Sequence, residues 1–204
     1  MSIKNPPKPS CVVLMTIRNC QNYLEKIFKN VEELRKLFGE FGVVITFDNC
    51  NDESETMILN FQKTAPYRVL VKNTKFQDKR RTVRIANGRN ACLEIMEKEF
   101  PDTKYHIVLD ADDVNSNTWN LPLLDKYLSD DRWDCLTFNR KYFYDIFALA
   151  YDKYVLDFSA FGQKFNGVLC QKIFTDINQR LKGLPEKQDL FQCHSSFNGF
   201  GIYR

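Results

Sequence analysis

Two carboxylates two residues apart, Asp110 and Asp112, stand directly behind the apolar run His106-Ile107-Val108-Leu109, and a third, Asp113, follows them. A β-branched apolar run that ends in acids reads as a buried strand of a parallel sheet reaching its ligand-binding edge. If the backbone stays extended, residues i and i+2 project to the same side. Carboxylates held that close repel one another unless a cation lies between them, and a hard divalent ion with oxygen ligands is the usual resolution. The chemistry indicated is a metal-assisted reaction on a phosphorylated substrate. A simpler role also explains acids at this position, because Asp113 or Asn115 could cap the turn that follows.

A second cluster precedes the acids. The segment 72–84 carries Lys72, Lys75, Lys79, Arg80, Arg81 and Arg84 ahead of, or at the start of, an expected helix. Cations are unfavourable beside a helix N-terminus, whose partial charge is positive, so the arrangement costs stability unless an anion neutralises it. A diphosphate is such an anion. Arg84 and Arg89 sit on the helix that leads toward the acidic strand, whereas any single lysine of the segment is adequately explained as solvated. His106, inside the strand, reads as structural.

Strand-type runs at residues 11–17, 43–47, 67–71, 105–109 and 134–138 alternate with helical periodicity at 22–38, 53–63, 82–99 and 119–128. In the first helix Leu24, Ile27, Phe28, Val31, Leu34 and Leu37 recur at spacings of three and four and form one apolar stripe. Alternation of this kind predicts an α/β fold with a mostly parallel central sheet flanked by helices, and ligands then bind outside the carboxyl ends of the strands. The residues just past those ends are Thr16 to Asn19, Asp48 to Asp52, the basic segment, and Asp110 to Asp113. After Asn139 the alternation weakens. Aromatic residues dominate there, with Asp145, Asp152 and Asp157 among them, and strand-like pieces are expected at 167–169 and 199–203.

The 204 residues carry no linker-like tract, so a single domain over residues 1–204 is expected, and an end right after a strand-like run reads as the N-terminal part of a longer protein. A net charge of +3 gives no reason to expect nucleic acid as a partner. The seven cysteines form no CxxC pair and read as reduced core thiols, which with the lack of a signal peptide or membrane span suggests a soluble, cytoplasmic protein. The oligomeric state is not legible.

Several of these blocks, in their order, resemble the nucleotide-sugar glycosyltransferases of the GT-A fold. Thr16-Ile17-Arg18-Asn19 is similar to that family's first nucleotide-contacting loop. Asp48-Asn49-Cys50-Asn51-Asp52 is similar to its acidic turn, whose first Asp meets uracil. Arg84 to Arg89-Asn90 is similar to the helix whose Arg reaches the base, and Asp110-Ala111-Asp112 falls where the family has its DxD motif. The resemblance implies a Rossmann-like sheet and transfer of a sugar from a UDP-sugar to a hydroxyl of a glycan or glycoprotein. It also implies Mn²⁺ or Mg²⁺ on Asp112, with Asp110 at the ribose and supporting the metal. Thr16, Arg18, Asp48, Asn49, Arg84, Arg89, Asp110 and Ala111 would line the donor site, and His194 would complete the metal shell.

For an inverting reaction the base candidates are Asp189, with Glu186 near it, Asp157 and Asp145, none inside a clear motif. The stretch Tyr144 to Leu149 and the ending His194 to Arg204 are similar to glycosyltransferases of large DNA viruses of algae, a likeness that implies viral capsid glycosylation in the host cytoplasm, and to fungal capsule-related enzymes. Two other readings use the same residues. Leu109-Asp110-Ala111-Asp112-Asp113-Val114 also fits the nucleophile motif of haloacid-dehalogenase-type phosphatases, although that motif normally opens its domain. A non-catalytic nucleotide or nucleic-acid binding module would use the basic segment with Phe76, and would leave the acids unexplained.

Overall fold

A computed structural model describes residues 7–138, 143, 145, 148–151, 154–155, 167–182 and 190–204. Strand and helix alternate as β1 (Cys11–Ile17), α1 (Gln21–Arg35), β2 (Phe41–Phe47), α2 (Ser54–Thr64), β3 (Arg68–Asn73), α3 (Arg81–Glu99) and β4 (Tyr105–Asp110). A 3-10 turn (Asp113–Asn115), α4 (Leu121–Leu128) and β5 (Cys135–Thr137) follow, then β6 (Leu149–Tyr151), β7 (Tyr154–Val155), α5 (Gly167–Lys182), β8 (Ser195–Ser196) and β9 (Phe200–Tyr203). The chain forms two compact units, Met1–Leu136 with Gly199–Arg204, and Thr137–Asn198.

The first unit is built on a six-stranded sheet in the order β3-β2-β1-β4-β9-β5. The strands β3, β2, β1 and β4 run parallel, while β9 returns antiparallel to β4. This is the mostly parallel sheet with flanking helices that the alternation predicts. β1 is buried along nearly its whole length because helices cover both faces, and its sequence CVVLMTI is accordingly continuous rather than alternating. On one side α3 lays Cys92 and Met96 against Val12, Leu14 and Val44, with Leu70 and Val108 at the margin. α1 buries Leu24, Ile27, Phe28, Val31 and Leu34, the expected stripe, and Phe28 stacks on Phe61 of α2 at 4.0 Å. Each such side chain contributes roughly 1.5–3 kcal/mol by leaving water.

β4 departs from the fully buried run expected of it. Tyr105, Ile107, Leu109 and Ala111 are buried, while His106, Val108, Asp110 and Asp112 are only half-buried. His106 pairs in register with Tyr203 and stacks on it at 5.0 Å, and burial lowers its pKa, so the structural role read for it fits.

In the second unit, three short antiparallel strands lie in the order β7-β6-β8. The strand-like piece expected at 167–169 is instead the first turn of α5. Three residues, Gly-Val-Leu, are too few to separate strand from helix by periodicity, and the longer segment behind them decides. Asn178 of α5 is buried and works as a clamp. Its Oδ1 accepts from the Phe143 N–H at 2.8 Å, and its Nδ2 donates to the carbonyls of Phe143 (3.2 Å) and Phe174 (2.9 Å).

The cysteines need a correction. Of the six whose side chains are described, Cys11 and Cys92 are core thiols, whereas Cys20, Cys50 and Cys193 are half-buried and Cys135 is exposed; none of the six is in a disulfide.

Candidate active site

The register of the parallel strands brings four polar residues into one row at their carboxyl ends. Thr16 lies opposite Thr46 on one side and Asp110 on the other, and Thr46 lies opposite Lys72. In-register neighbours on adjacent strands project to the same face. The two threonine hydroxyls are 3.2 Å apart, and Thr46 Oγ1 also donates to the carbonyl of Gly88 in α3 at 3.1 Å. Gly88 is what lets the helix come this close, because a Cβ there would stand 2.4 Å from Thr16 Cγ2. The helix is thereby seated over the row with Arg84 one turn before Gly88 and Arg89 just after it.

Both arginines reach acids at the strand ends. Arg84 Nε donates to Asp48 Oδ2 at 2.6 Å, in a pair whose side chains are 14% and 6% exposed. The other oxygen of Asp48 accepts from the Phe76 N–H (3.0 Å) and from Asn49 Nδ2 (2.8 Å), so a nearly buried charge is compensated by one cation and two dipoles. Arg89 Nη2 donates to Asp110 Oδ1 at 2.7 Å in a more open pair. The basic segment is tied to the same edge: Thr74 donates through both its N–H and its hydroxyl to the Phe47 carbonyl, and Asp78 takes up Arg80. Asp78 is thereby held at a pKa of about 2, chiefly by the hydrogen bonds from Arg80.

Three loops at this edge carry a residue in the left-handed region, Asn19 (φ 53°), Asn49 (φ 44°) and Lys75 (φ 46°). Asparagine tolerates this conformation better than most residues, and lysine does not. The first two loops are stitched together. Asn19 Oδ1 accepts from Asn51 N–H and Ser54 Oγ from Cys20 N–H, both at 2.8 Å; Gln21 Oε1 accepts from Glu53 N–H (2.8 Å) and Asp52 Oδ2 from Gln21 N–H (3.2 Å). Neither α1 nor α2 has a side-chain cap from its own N-cap residue; Asp52 serves both, its Oδ2 accepting from the first N–H of α1 on Gln21 and its Oδ1 from the first N–H of α2 on Ser54 (3.0 Å). For Asp52, burial works to raise the pKa, but the hydrogen bonds from Ser54 and Gln21 outweigh it and the carboxyl is held below its usual value.

The acidic pair itself sits as its spacing predicts. Ala111 is buried and its two neighbours are not, and Asp112 keeps an extended backbone (φ −128°, ψ −162°), so both carboxylates share the more open face. The turn that follows is capped by neither Asp113 nor Asn115. Asp112 Oδ1 does it, accepting from the Val114 N–H at 3.2 Å. Asn115, read from sequence only as a cap, is buried at 1% exposure, and its Nδ2 donates to the carbonyls of Asp110 (2.8 Å) and Gly199 (2.7 Å).

Thr16, Arg18, Asp48, Asn49, Arg84, Arg89, Asp110, Ala111 and Asp112 therefore all belong to the first unit, at or beside one edge of its sheet. Sequence reading missed Thr46, whose hydroxyl completes the row, and the clamp of Asn115. Asp145 and His194 belong to the second unit. The Asp145 carbonyl accepts from Ala148 N–H (3.0 Å), and His194, exposed, donates its N–H to the Ala150 carbonyl (2.7 Å). Asp157 and Asp189 lie outside the described residues. Among the described residues no three His, Cys, Asp or Glu side chains gather as a metal site, and no helix is long and apolar enough to cross a membrane.

The mannosyltransferase PcManGT from Pyrobaculum calidifontis, in complex with GDP-Man and Mn²⁺, is 19% identical with a TM-score of 0.47 over 66% of this chain and 36% of its own. Residues 1–349 of TarS from S. aureus are 14% identical, with a TM-score of 0.46 over 69% and 45%. Glucosyl-3-phosphoglycerate synthase from Mycobacterium tuberculosis, in complex with UDP, is 10% identical with a TM-score of 0.42 over 96% and 56%. The chain thus spans between about a third and a little over half of these proteins. None of the three is viral, so the narrower likeness to enzymes of algal viruses gains no support from them. No curated protein matches the chain. Residues 12–180, most of its length, match the family described as glycosyl transferase family 2, and the chain belongs to that family.

Proposed function

We propose that the protein is a metal-dependent glycosyltransferase that moves a sugar from a UDP-sugar to a hydroxyl of a glycan or glycoprotein. The observation that carries this reading is the same-face pair Asp110 and Asp112 at the carboxyl edge of the parallel sheet, beside two arginine–carboxylate pairs. Membership of glycosyl transferase family 2 supports it and favours a transferase over the phosphatase and the binding module.

The residues suit a hard cation. Magnesium-type ions are commonly held by one or two carboxylates plus substrate phosphates, so a three-ligand protein cluster is not required. Arg89 partners Asp110, which supports reading Asp112 as the direct ligand and Asp110 as the residue at the ribose that supports the metal. His194 is the candidate for a further ligand. A bound Mn²⁺ or Mg²⁺ supplies Lewis-acid stabilisation of the departing nucleoside diphosphate.

The chain's own groups do the rest. Asp48 and Arg84 present an acceptor and donors side by side, a pattern that suits uracil, whose ring N–H donates and whose carbonyls accept. Thr16, Arg18 and Asn49 flank the nucleotide, and the backbone at Ala111, buried between the two acids, carries no side chain that would crowd it. In the reaction the acceptor oxygen bonds to the anomeric carbon as the bond from that carbon to the diphosphate oxygen breaks. For an inverting outcome one of Asp145, Asp157 and Asp189 receives the acceptor's proton. We read the two units as parts of one catalytic domain.

Thermal stability tests the proposal. UDP with Mn²⁺ is expected to raise the Tm, since a ligand at a hundred times its Kd adds about 2.7 kcal/mol, while GDP at the same concentration raises it less. A rise with oligonucleotides and without metal would instead support the binding module.

A further inference from the structure

We infer that Asn115 is a positioning residue that sets the spacing of the two carboxylates, and so governs how tightly the donor's metal is held. The inference rests on the transferase reading above. Three hydrogen bonds leave this one residue for the backbone around the motif. Its side-chain nitrogen has two hydrogens, one directed at the Asp110 carbonyl (2.8 Å) and one at the Gly199 carbonyl (2.7 Å), and its backbone N–H donates to the Asp112 carbonyl (3.2 Å). The carbonyls of Asp110 and Asp112 are therefore pinned from the same point. With both fixed, the separation of the two carboxylates is set by the backbone rather than left to a free turn.

Asn115 is itself held. Its own carbonyl accepts from Asn30 Nδ2 of α1 (3.0 Å) and from Trp119 Nε1 (3.2 Å), and Trp119 meets Phe200 of β9 edge-on at 5.4 Å. The Gly199 carbonyl accepts from Asp110 N–H (2.8 Å) as well, so Asn115 locks the acidic edge of β4 to the point where β9 enters the sheet. Gly199 sits at φ 85°, a conformation that costs glycine little. A serine or threonine has one hydroxyl hydrogen and cannot serve two carbonyls, and an ionised aspartate has none. Groups that orient a metal's ligands without touching the metal typically change affinity ~10–100-fold when removed.

The test is calorimetric titration of UDP at stepped Mn²⁺ concentrations, for the wild type and for Asn115→Ala. The expected result is a Mn²⁺ requirement raised by ~10–100-fold, with UDP affinity returning to the wild-type value once Mn²⁺ saturates. An unchanged Mn²⁺ requirement in the folded variant overturns the inference, as does a loss of UDP affinity that saturating Mn²⁺ does not restore. Should Asn115→Ala not fold, Asn30→Ala decides by the same readout, with a smaller rise expected, because it loosens the loop through the Asn115 carbonyl and leaves the clamp in place. A wild type whose UDP binding ignores Mn²⁺ contradicts the transferase reading itself, and this is seen before any variant is made.

Discussion

The two edges of the first unit's parallel sheet are built from the same strands and helices and differ in what their polar groups do. At the amino edge, an open cavity of about 260 Å³ lies between the start of β1 and β2 and the end of α3, bordered by Glu40, Glu99 and Asp102. The charges there are braces on the surface. Arg68 pairs with Glu99 and lies over the Phe100 ring, half exposed, and Ser10 ties down the turn before β4. At the carboxyl edge, Asp48 and Arg84 are almost withdrawn from water, three residues adopt left-handed backbone, and three helices start without a side-chain cap from their own N-cap residue. A buried charge pair often contributes no more stability than apolar residues of the same volume would. An edge that accepts such features while its opposite, among the described residues, does without them fits the ligand site proposed above.

The two edges should separate most clearly when one arginine is removed from each. Arg84→Ala leaves Asp48 buried with its dipolar partners alone, and a loss of ~3 kcal/mol or more is expected. Arg68→Ala breaks an exposed pair, for which less than ~1 kcal/mol is expected. Denaturant unfolding measures both, and equal losses would erase the distinction between the edges.

A smaller effect is expected from the two glycines. In Gly88→Ala the new methyl meets Thr16, a short, stiff side chain fixed between β2 and β4. Overpacking costs ~1–3 kcal/mol and helix propensity returns ~1 kcal/mol, which leaves a net loss of about 1 kcal/mol and displaces Arg84 and Arg89 from their partners. In Gly42→Ala the methyl meets the far end of the half-buried Phe100 ring, which can swing aside. A lower Tm for Gly88→Ala than for Gly42→Ala is the expected ranking.

The smallest effect is a pH dependence. Burial depresses the pKa of His106 below its free value of about 6.5, so the unfolded chain takes up a proton before the folded one does. The stability His106 contributes is complete above that value and is lost as pH falls through the lowered one. His106→Phe keeps the stack on Tyr203 and should flatten this part of the stability–pH curve; an unchanged slope would show that His106 is not the group responsible.

How far the sequence could be read follows from which forces act locally. β1 starts and ends where its apolar run does, and α1, α2 and α3 lie within a few residues of their periodic patterns. The short strands β6, β7 and β8 have no such signal, being set by pairing with distant chain. At the site, Asp48, Arg84, Arg89, Asp110 and Asp112 were legible as candidates by type and position. Their pairing was not, because it depends on the register of Thr16 with Thr46 and Asp110, contacts that join residues far apart in the chain. Asn115 was missed for a different reason: an asparagine after a strand suits a turn so well that nothing marks one whose side chain instead holds two carbonyls.

Whether the carboxyl edge holds a metal and a nucleotide together through Asp112 is decided by calorimetric titration of UDP with and without Mn²⁺ into the wild type and Asp112→Asn. The asparagine oxygen can still accept from the Val114 N–H, so the Tm should stay close to wild type while the charge is gone. Mn²⁺ is expected to strengthen UDP binding in the wild type and no longer to do so in the variant. Equal, Mn²⁺-dependent affinity in both proteins would contradict it.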